Sequence, residues 1–404
     1  RRDALVAAAA GAFLDGGETG PPALAWAGPA APRVLARAAR GLWSLHRRER
    51  RGPCDAHDGR IESPELQAVL AERFGEGAVF SAAQLNAYGG CPWQFFAAYV
   101  LRLEPLPEPT RRLEALDRGT FCHNVLFRAM RRLADESGGP VRLRDLPEER
   151  IDAALAAAVA AESEQVELRR PAYPGLWRVQ RDAMATELAA YLRTSGQARE
   201  LAAASTHFEL GFGLPAPARE EQRDPHSRAE PVTLATPAGP LRLRGKIDRV
   251  DRVRFRDADG SLVVDYKTGG LPSAKDVAAG RNLQLPLYAA AVEALLGAPS
   301  LGGAFHRVLG DPSQQRTFAA FKLYGGTYRP NDGYADQLDT ALAAAAGFVE
   351  RIRAGQFDAL PTHDCPSWCP YRQICHFAEW RAERKERPEP GGELPAFMQQ
   401  RTKP

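Results

Sequence analysis

Residues Leu241–Val253 alternate polar and apolar positions, and Ser261–Lys267 is a short apolar run that ends polar. Between them, Asp257-Ala258-Asp259-Gly260 carries turn chemistry, so the pattern predicts two strands joined by a tight turn. Successive strand side chains point to opposite faces. Asp248 therefore shares a face with Arg242, Arg244 and Lys246, while Leu241, Leu243 and Ile247 face the other way. In the second strand Asp265 and Lys267 share a face, opposite Val264 and Tyr266.

Helical signals dominate the chain before this hairpin. A piece around Ala31–Arg51 is rich in arginine, which reads as a solvated face or a DNA-backbone contact. Ser81 and Gln84 form a capping box for a helix reaching about Tyr88, with Phe80 and Leu85 as its hydrophobic staple. Gly89-Gly90 ends it, and Cys91-Pro92-Trp93-Gln94-Phe95-Phe96 leads into an aromatic helix to Leu103. A Pro-rich link, Pro105–Pro109, precedes Asp117–Cys122 and a long helix with Val125, Leu126, Met130 and Leu133 at helical spacing. That reading puts His123 near the first turn of the helix. Residues 145–200 read as two amphipathic helices broken at Pro171–Pro174.

Strands begin near Thr206, and a loop over Pro215–Pro231 leads to the strand Val232–Thr236. After the hairpin, a loop bearing Lys275 and Arg281 enters a helix at Leu283–Ala291, where Pro286 fits only the first turn. Gln284 and Tyr288 lie four apart on that helix and share a face. Leu301–Leu309 and Thr317–Tyr324 read as strands, and Ala335–Arg353 as an Ala-rich helix.

Composition narrows the function classes. The 404 residues are 44% hydrophobic and 25% charged, ordinary for a globular chain of two or three domains. The net charge of +3 neither demands nor excludes nucleic acid. No apolar run approaches the ~20 residues of a membrane span. There is no GxxxxGK[ST] phosphate loop, so nucleotide hydrolysis by that route is excluded. The first residue is Arg, not Met, as in a fragment or processed chain.

Six cysteines are too few for a disulfide-dense scaffold, but Cys365, Cys369 and Cys375 have metal-ligand spacing. Four-cysteine iron–sulfur or tetrahedral zinc needs a fourth ligand. Cys91 is favoured for it because its segment is also Cys-Pro-aromatic, with His363, His376 and Cys54 as competitors. The second constellation is His123, Asp248, Asp265 and Lys267. Hard divalent cations such as Mg²⁺ prefer oxygen ligands. Carboxylate-held Mg²⁺ can activate water, neutralise a phosphate and stabilise a leaving oxygen. Lys267 beside two carboxylates stays protonated, placed to orient water or offset transition-state charge.

In order along the chain, FSAAQLNAYGGCPWQFF, GTFCHNVLF, GKIDRVD, VVDYKTG, QLPLY and CPSWCPYRQIC resemble the motifs of the RecB-type branch of the PD-(D/E)XK nucleases. The likeness is greatest to the C-terminal iron–sulfur nuclease domain of AddB-type subunits, and it covers about residues 78–380. The spacing Cys365-x-x-x-Cys369 departs from the two-residue gap of that pattern.

The resemblance implies an α/β fold, a mixed central sheet flanked by helices, with an iron–sulfur staple. It implies Mg²⁺ or Mn²⁺ held by His123, Asp248, Asp265 and the Tyr266 carbonyl, with Lys267 assisting catalysis. Gln284 and Tyr288 position substrate, and Cys91, Cys365, Cys369 and Cys375 hold a 4Fe–4S cluster. It further implies residues 78–385 as the nuclease domain, 1–77 as an appendage from a larger helicase-like subunit and 386–404 as a flexible tail. The expected activity is metal-dependent DNA hydrolysis, an exonuclease on single strands during cytoplasmic double-strand-break repair, beside an AddA-type helicase partner. The rivals are a stand-alone iron–sulfur exonuclease and a non-catalytic DNA-binding scaffold.

Overall fold

The computed structural model describes residues 31–104, 115–168, 173–195, 201–215, 224–273, 276–277, 282–324, 327–360, 365 and 369–386. The links at Pro105–Pro109 and at Lys275 and Arg281, the break at 171–172, His363 and the tail beyond 386 lie outside them. The chain enters through α1 (Ala31–Glu49), β1 (Gly52–Pro53) and α2 (Pro64–Arg73). β2 (Val79–Ser81) then feeds α3 (Ala82–Gly90) through the expected cap. Ser81 Oγ accepts from Gln84 N at 3.2 Å, and Gln84 Oε1 accepts from Ser81 N at 2.8 Å. Cys91 sits in extended backbone between α3 and α4 (Pro92–Phe95), which continues as a π-helical turn over Phe96–Val100.

Three long helices follow: α5 (Ala115–Ser137), α6 (Glu148–Leu168) and α7 (Pro174–Thr194). α5 begins earlier than local pattern predicts, so His123 lies two turns inside it and not at its start. Gly119-Thr120 has turn chemistry, but the residues beyond it are buried against the sheet, and tertiary packing overrides weak local propensity. Then come β3 (Ala202–Phe212), β4 (Val232–Thr236), β5 (Gly239–Phe255) and β6 (Ala258–Lys267). The chain continues through α8 (Gln284–Leu296), β7 (Ser300–Arg307), β8 (Gln315–Ala319), β9 (Phe321–Tyr324), β10 (Thr327–Pro330) and α9 (Tyr334–Arg353). It closes with α10 (Arg372–Cys375), α11 (Glu379–Ala382) and β11 (Lys385–Glu386).

Among the described residues β2 to β8 make one seven-stranded mixed sheet. The long β5 is its organiser: β3, β4 and β6 pair with it antiparallel and β2 parallel. β6 and β7 are parallel, so their connection needs a crossover, which α8 supplies. Alternate residues of β6 enter different cores. Val263 packs with Leu85, Leu287 and Phe348 of α3, α8 and α9, whereas Val264 and Tyr266 pack with Leu126, Met130 and Tyr191 of α5 and α7. The sheet is therefore covered by helices on both faces.

The hairpin differs from its expectation in one respect. Phe255 pairs with Ala258, so the turn is Arg256-Asp257, and Ala258–Gly260 belong to β6. Gly260 serves packing instead: a Cβ there would lie 2.7 Å from Pro299 O and 2.9 Å from Leu301 Cγ. The expected strand Thr317–Tyr324 is likewise split, into β8 and β9. Residues 31–77 dock on the C-terminal segments: β1 pairs with β11, Ile61 N donates to Gly355 O at 2.9 Å, and Arg60 meets Asp358 at 3.2 Å. No helix among the described residues is long and apolar enough to cross a membrane.

Candidate active site

The hairpin carries both aspartates to where α5 and α8 flank the sheet. Asp248 is buried on β5. Its Oδ2 accepts the Tyr266 backbone N–H at 2.8 Å, and its Oδ1 lies 3.2 Å from His123 Nδ1 on α5. The other imidazole nitrogen, Nε2, is 3.1 Å from the Tyr266 carbonyl. A helix, a strand and a backbone carbonyl are thus locked together around one carboxylate.

The structure adds a residue that sequence reasoning did not select. Phe208 pairs with Arg249 and Leu210 with Ile247, so Glu209 stands opposite Asp248. Like charges directly opposed across strands repel. Glu209 is nevertheless buried, with a backbone φ of 55° in the left-handed region. Non-glycine residues avoid that region unless the surroundings impose it. The apolar alternation breaks here too, for Leu210 and Phe212 belong to one core and Phe208 to the other. The ligating atoms of His123, Glu209 and Asp248 all lie within 4.8 Å of one another. The available signal was an acidic residue inside an apolar strand, two strands ahead of Asp248 along the chain.

Asp265, on β6, stands beside that group. Gln284 Nε2 donates to its Oδ1 at 2.5 Å, and Lys267 Nζ lies 2.6 Å from its Oδ2. Gln284 Oε1 accepts from Lys267 Nζ at 2.9 Å, so one amide clamps both expected catalytic groups. The Lys267 ammonium also sits 4.9 Å from the Phe305 ring centroid. One turn further along α8, Tyr288 is buried over Gly245, where a Cβ would come within 2.8 Å of its ring. Arg249, buried on β5 between Tyr191 and Tyr266 and paired to Asp251 at 2.9 Å, braces the Tyr266 ring from behind.

The electrostatics follow from crowding three carboxylates out of water. Burial, then Asp248, raise the Asp265 pKa to about 6 despite Lys267. Burial and Asp248 likewise push the Glu209 carboxyl up, against the pull of Lys246, which pairs with it. Burial opposes charge on His123, but Asp248, Asp265 and Glu209 outweigh it and raise its pKa to about 9. Burial also opposes ionisation of Asp248, yet His123 and the Tyr266 N–H hold its carboxyl below the ordinary value. This excess of buried negative charge, all on oxygen plus one imidazole, is the donor set a hard divalent cation takes.

A second constellation lies at the C-terminal segments. All four expected cysteines are free thiols. Burial raises the Cys91 pKa to about 12, and Cys375 and Cys369 add to the rise. Burial raises Cys375, and Cys365 and Cys369 contribute. Burial and then Cys369 raise Cys365. Cys91 is thus within electrostatic reach of Cys369 and Cys375, far along the chain, and Cys365, Cys369 and Cys375 of one another. Cys54 feels Asp358 and Asp58 instead, and Cys122 contacts Met184 at 3.8 Å in the core. Thiols are the ligands of iron–sulfur and zinc centres, but among the described residues these sulfurs do not converge as the ligand atoms of the acidic group do.

Comparison with known families decides the class. The PD-(D/E)XK nuclease superfamily matches residues 79–376. The chain belongs to the PD-(D/E)XK nuclease superfamily. The superfamily match spans both constellations, from Cys91 to Cys375. Among curated relatives, an ATP-dependent helicase/deoxyribonuclease subunit of the B type from Acetivibrio thermocellus is 25% identical over 295 residues, 67% of this chain and 23% of that protein. Its counterpart in Symbiobacterium thermophilum is 32% identical over 237 residues, 56% of this chain and 18% of the relative. The Leuconostoc citreum counterpart is 29% identical over 309 residues, 70% and 24% of the two chains. This PD-(D/E)XK chain is therefore RecB-like and of AddB type, and it spans less than a quarter of the length of these relatives.

Proposed function

We propose that this chain is the nuclease end of an AddB-type subunit and hydrolyses DNA phosphodiester bonds, degrading single strands fed from an unwound end. The observation that carries the reading is the convergence of His123, Glu209 and Asp248 beside the Asp265–Lys267–Gln284 clamp. His123, Glu209, Asp248, Asp265 and the Tyr266 carbonyl would hold Mg²⁺ or Mn²⁺. When bound, such a cation polarises the scissile phosphate and lowers the pKa of its water.

The protein's own residues do the rest. Lys267 Nζ lies between Asp265 and Gln284, and from there its ammonium offsets charge on the phosphate. Gln284 fixes Lys267 and Asp265 relative to each other, so neither reorients when substrate arrives. Tyr288, held over Gly245, supports Gln284 from the next turn of α8. Cys91, Cys365, Cys369 and Cys375 would hold a 4Fe–4S cluster that ties residue 91 to residue 375 and stabilises the fold by closing a long loop. Residues 78–385 form the catalytic unit, with 1–77 derived from a larger subunit and 386–404 a tail. An AddA-type helicase is the partner, and recombinational end processing in the cytoplasm the setting.

The test is loss of label from end-labelled linear single-stranded DNA with anaerobically purified protein. Degradation should require Mg²⁺, stop with chelator and vanish in Asp265→Ala. Wild-type protein that keeps its cluster but cuts nothing, alone or with a helicase partner, refutes the reading.

A further inference from the structure

Outside the acidic site, one other group of side chains converges on a point. His207 on β3 and Asp224 and His226 on the segment 224–231 present ligand atoms all within 4.8 Å of one another. His207 Nδ1 is 3.2 Å and His226 Nδ1 3.6 Å from the same oxygen, Asp224 Oδ1. The two rings meet edge to face with centroids 4.7 Å apart.

Hydrogen bonding accounts for only part of this. Asp224 Oδ1 already accepts the His226 backbone N–H at 2.9 Å, and Oδ2 accepts the Phe208 N–H at 3.1 Å. The His207 ring nitrogen is hydrogen-bonded to Oδ1 at 3.2 Å, whereas at 3.6 Å the His226 ring nitrogen is too far for such a bond. Both separations suit a metal site. Zinc bonds to imidazole of about 2.0–2.1 Å imply tetrahedral ligand–ligand edges of about 3.3–3.4 Å, and the two observed edges bracket that value. We infer that His207, Asp224 and His226 form a second cation site, for a borderline divalent ion of the zinc class, separate from the acidic site.

Two nitrogens and one carboxylate oxygen suit Zn²⁺, Co²⁺ or Ni²⁺ better than Mg²⁺. Asp224 is 2% exposed and His226 63%, so the site has a fixed floor and a solvent-facing ligand through which an ion enters. Its position gives it a task. The segment 224–231 lies along the edge of β3 that does not face β5: Gly211 N donates to Ser227 Oγ at 2.9 Å, and Arg228 N donates to Gly211 O at 2.9 Å. An ion at the head of this segment pins it to the strand two residues from Glu209. The cover over this part of the strand edge, and the left-handed backbone at Glu209, are then held by a metal clip.

The test uses the full chain with its cysteine centre loaded anaerobically, then titrated with Zn²⁺ against a chromophoric chelator, wild type beside His226→Ala and His207→Ala. The wild type should bind one Zn²⁺ that X-ray absorption assigns to nitrogen and oxygen ligands, and each variant should bind it at least tenfold more weakly. Hydrogen exchange across 224–231 should slow on adding Zn²⁺ in the wild type and stay unchanged in His226→Ala, whose exposed ring makes misfolding no explanation. Equal Zn²⁺ affinity in wild type and variants, an ion bound only through sulfur, or no Zn²⁺ bound by the wild type overturns the inference.

Discussion

Replacing Asp265 by Asn should stabilise the metal-free protein while abolishing its response to Mg²⁺. The buried carboxyl titrates at about 6 where an ordinary Asp titrates near 3.8, because burial and the Asp248 charge disfavour its ionised form. The sign follows from linkage. A group whose pKa is raised on folding favours the fold while protonated, and that gain is lost as pH climbs through about 6. At pH 7.5 the ionised carboxylate therefore costs the metal-free fold about 3 kcal/mol, from roughly two pKa units at about 1.4 kcal/mol each. Asn keeps the shape and an acceptor for Gln284 or Lys267 but removes the charge. Urea unfolding in chelator should show Asp265→Asn more stable than wild type by about 2–3 kcal/mol. Millimolar Mg²⁺ should then raise the wild-type midpoint and leave the variant's unchanged. A variant less stable than wild type in chelator would refute the reasoning, making Asp265 a hydrogen-bonding node and not a strained ligand.

Four further outcomes follow from the same geometry. Glu209→Gln removes a carboxylate opposed to Asp248, so Mg²⁺-dependent DNA cleavage should fall at least about tenfold without loss of metal-free stability; unchanged cleavage rates would place Glu209 outside the site. His123 gains protons on folding, its pKa rising from 6.5 to about 9, so metal-free stability should decline as pH rises from about 6.5 through 9, by at most about 3 kcal/mol, and His123→Gln should flatten that decline in thermal melts across pH. Because a metal must displace that proton, Mn²⁺ affinity should rise over the same pH range. Gly245→Ala drives a Cβ to within 3.0 Å of Tyr288 and Phe212; overpacking of this kind should cost about 1–3 kcal/mol in denaturant unfolding and lower cleavage through Tyr288.

Some of the molecule was legible because its causes are local. Ser81 and Gln84 cap α3 through bonds between residues three apart, and α6 and α7 follow apolar spacing within single segments. The alternation around Asp248 and Asp265 set which side chains share a face, since strand geometry requires nothing beyond the next residue. The same local logic misplaced the start of α5 and the turn before β6. In both places a glycine resembles a turn signal but sits inside an element: Gly119 within α5, and Gly260 in β6, tight against Pro299 and Leu301.

Most of the elements, the order of the chemistry-bearing motifs and the resemblance they carry were thus readable from the chain alone, because these depend on spacing along it. Tertiary structure decided who meets whom. It alone placed Glu209 opposite Asp248, made Gln284 a clamp on Asp265 and Lys267, and brought Cys91 within electrostatic reach of Cys369 and Cys375. It also brought the His207 and His226 rings to within 3.2 and 3.6 Å of one oxygen of Asp224. Cross-strand register, burial and charge coupling are properties of neighbours in space, and no periodicity along the chain encodes the strength of a field produced by residues tens or hundreds of positions away.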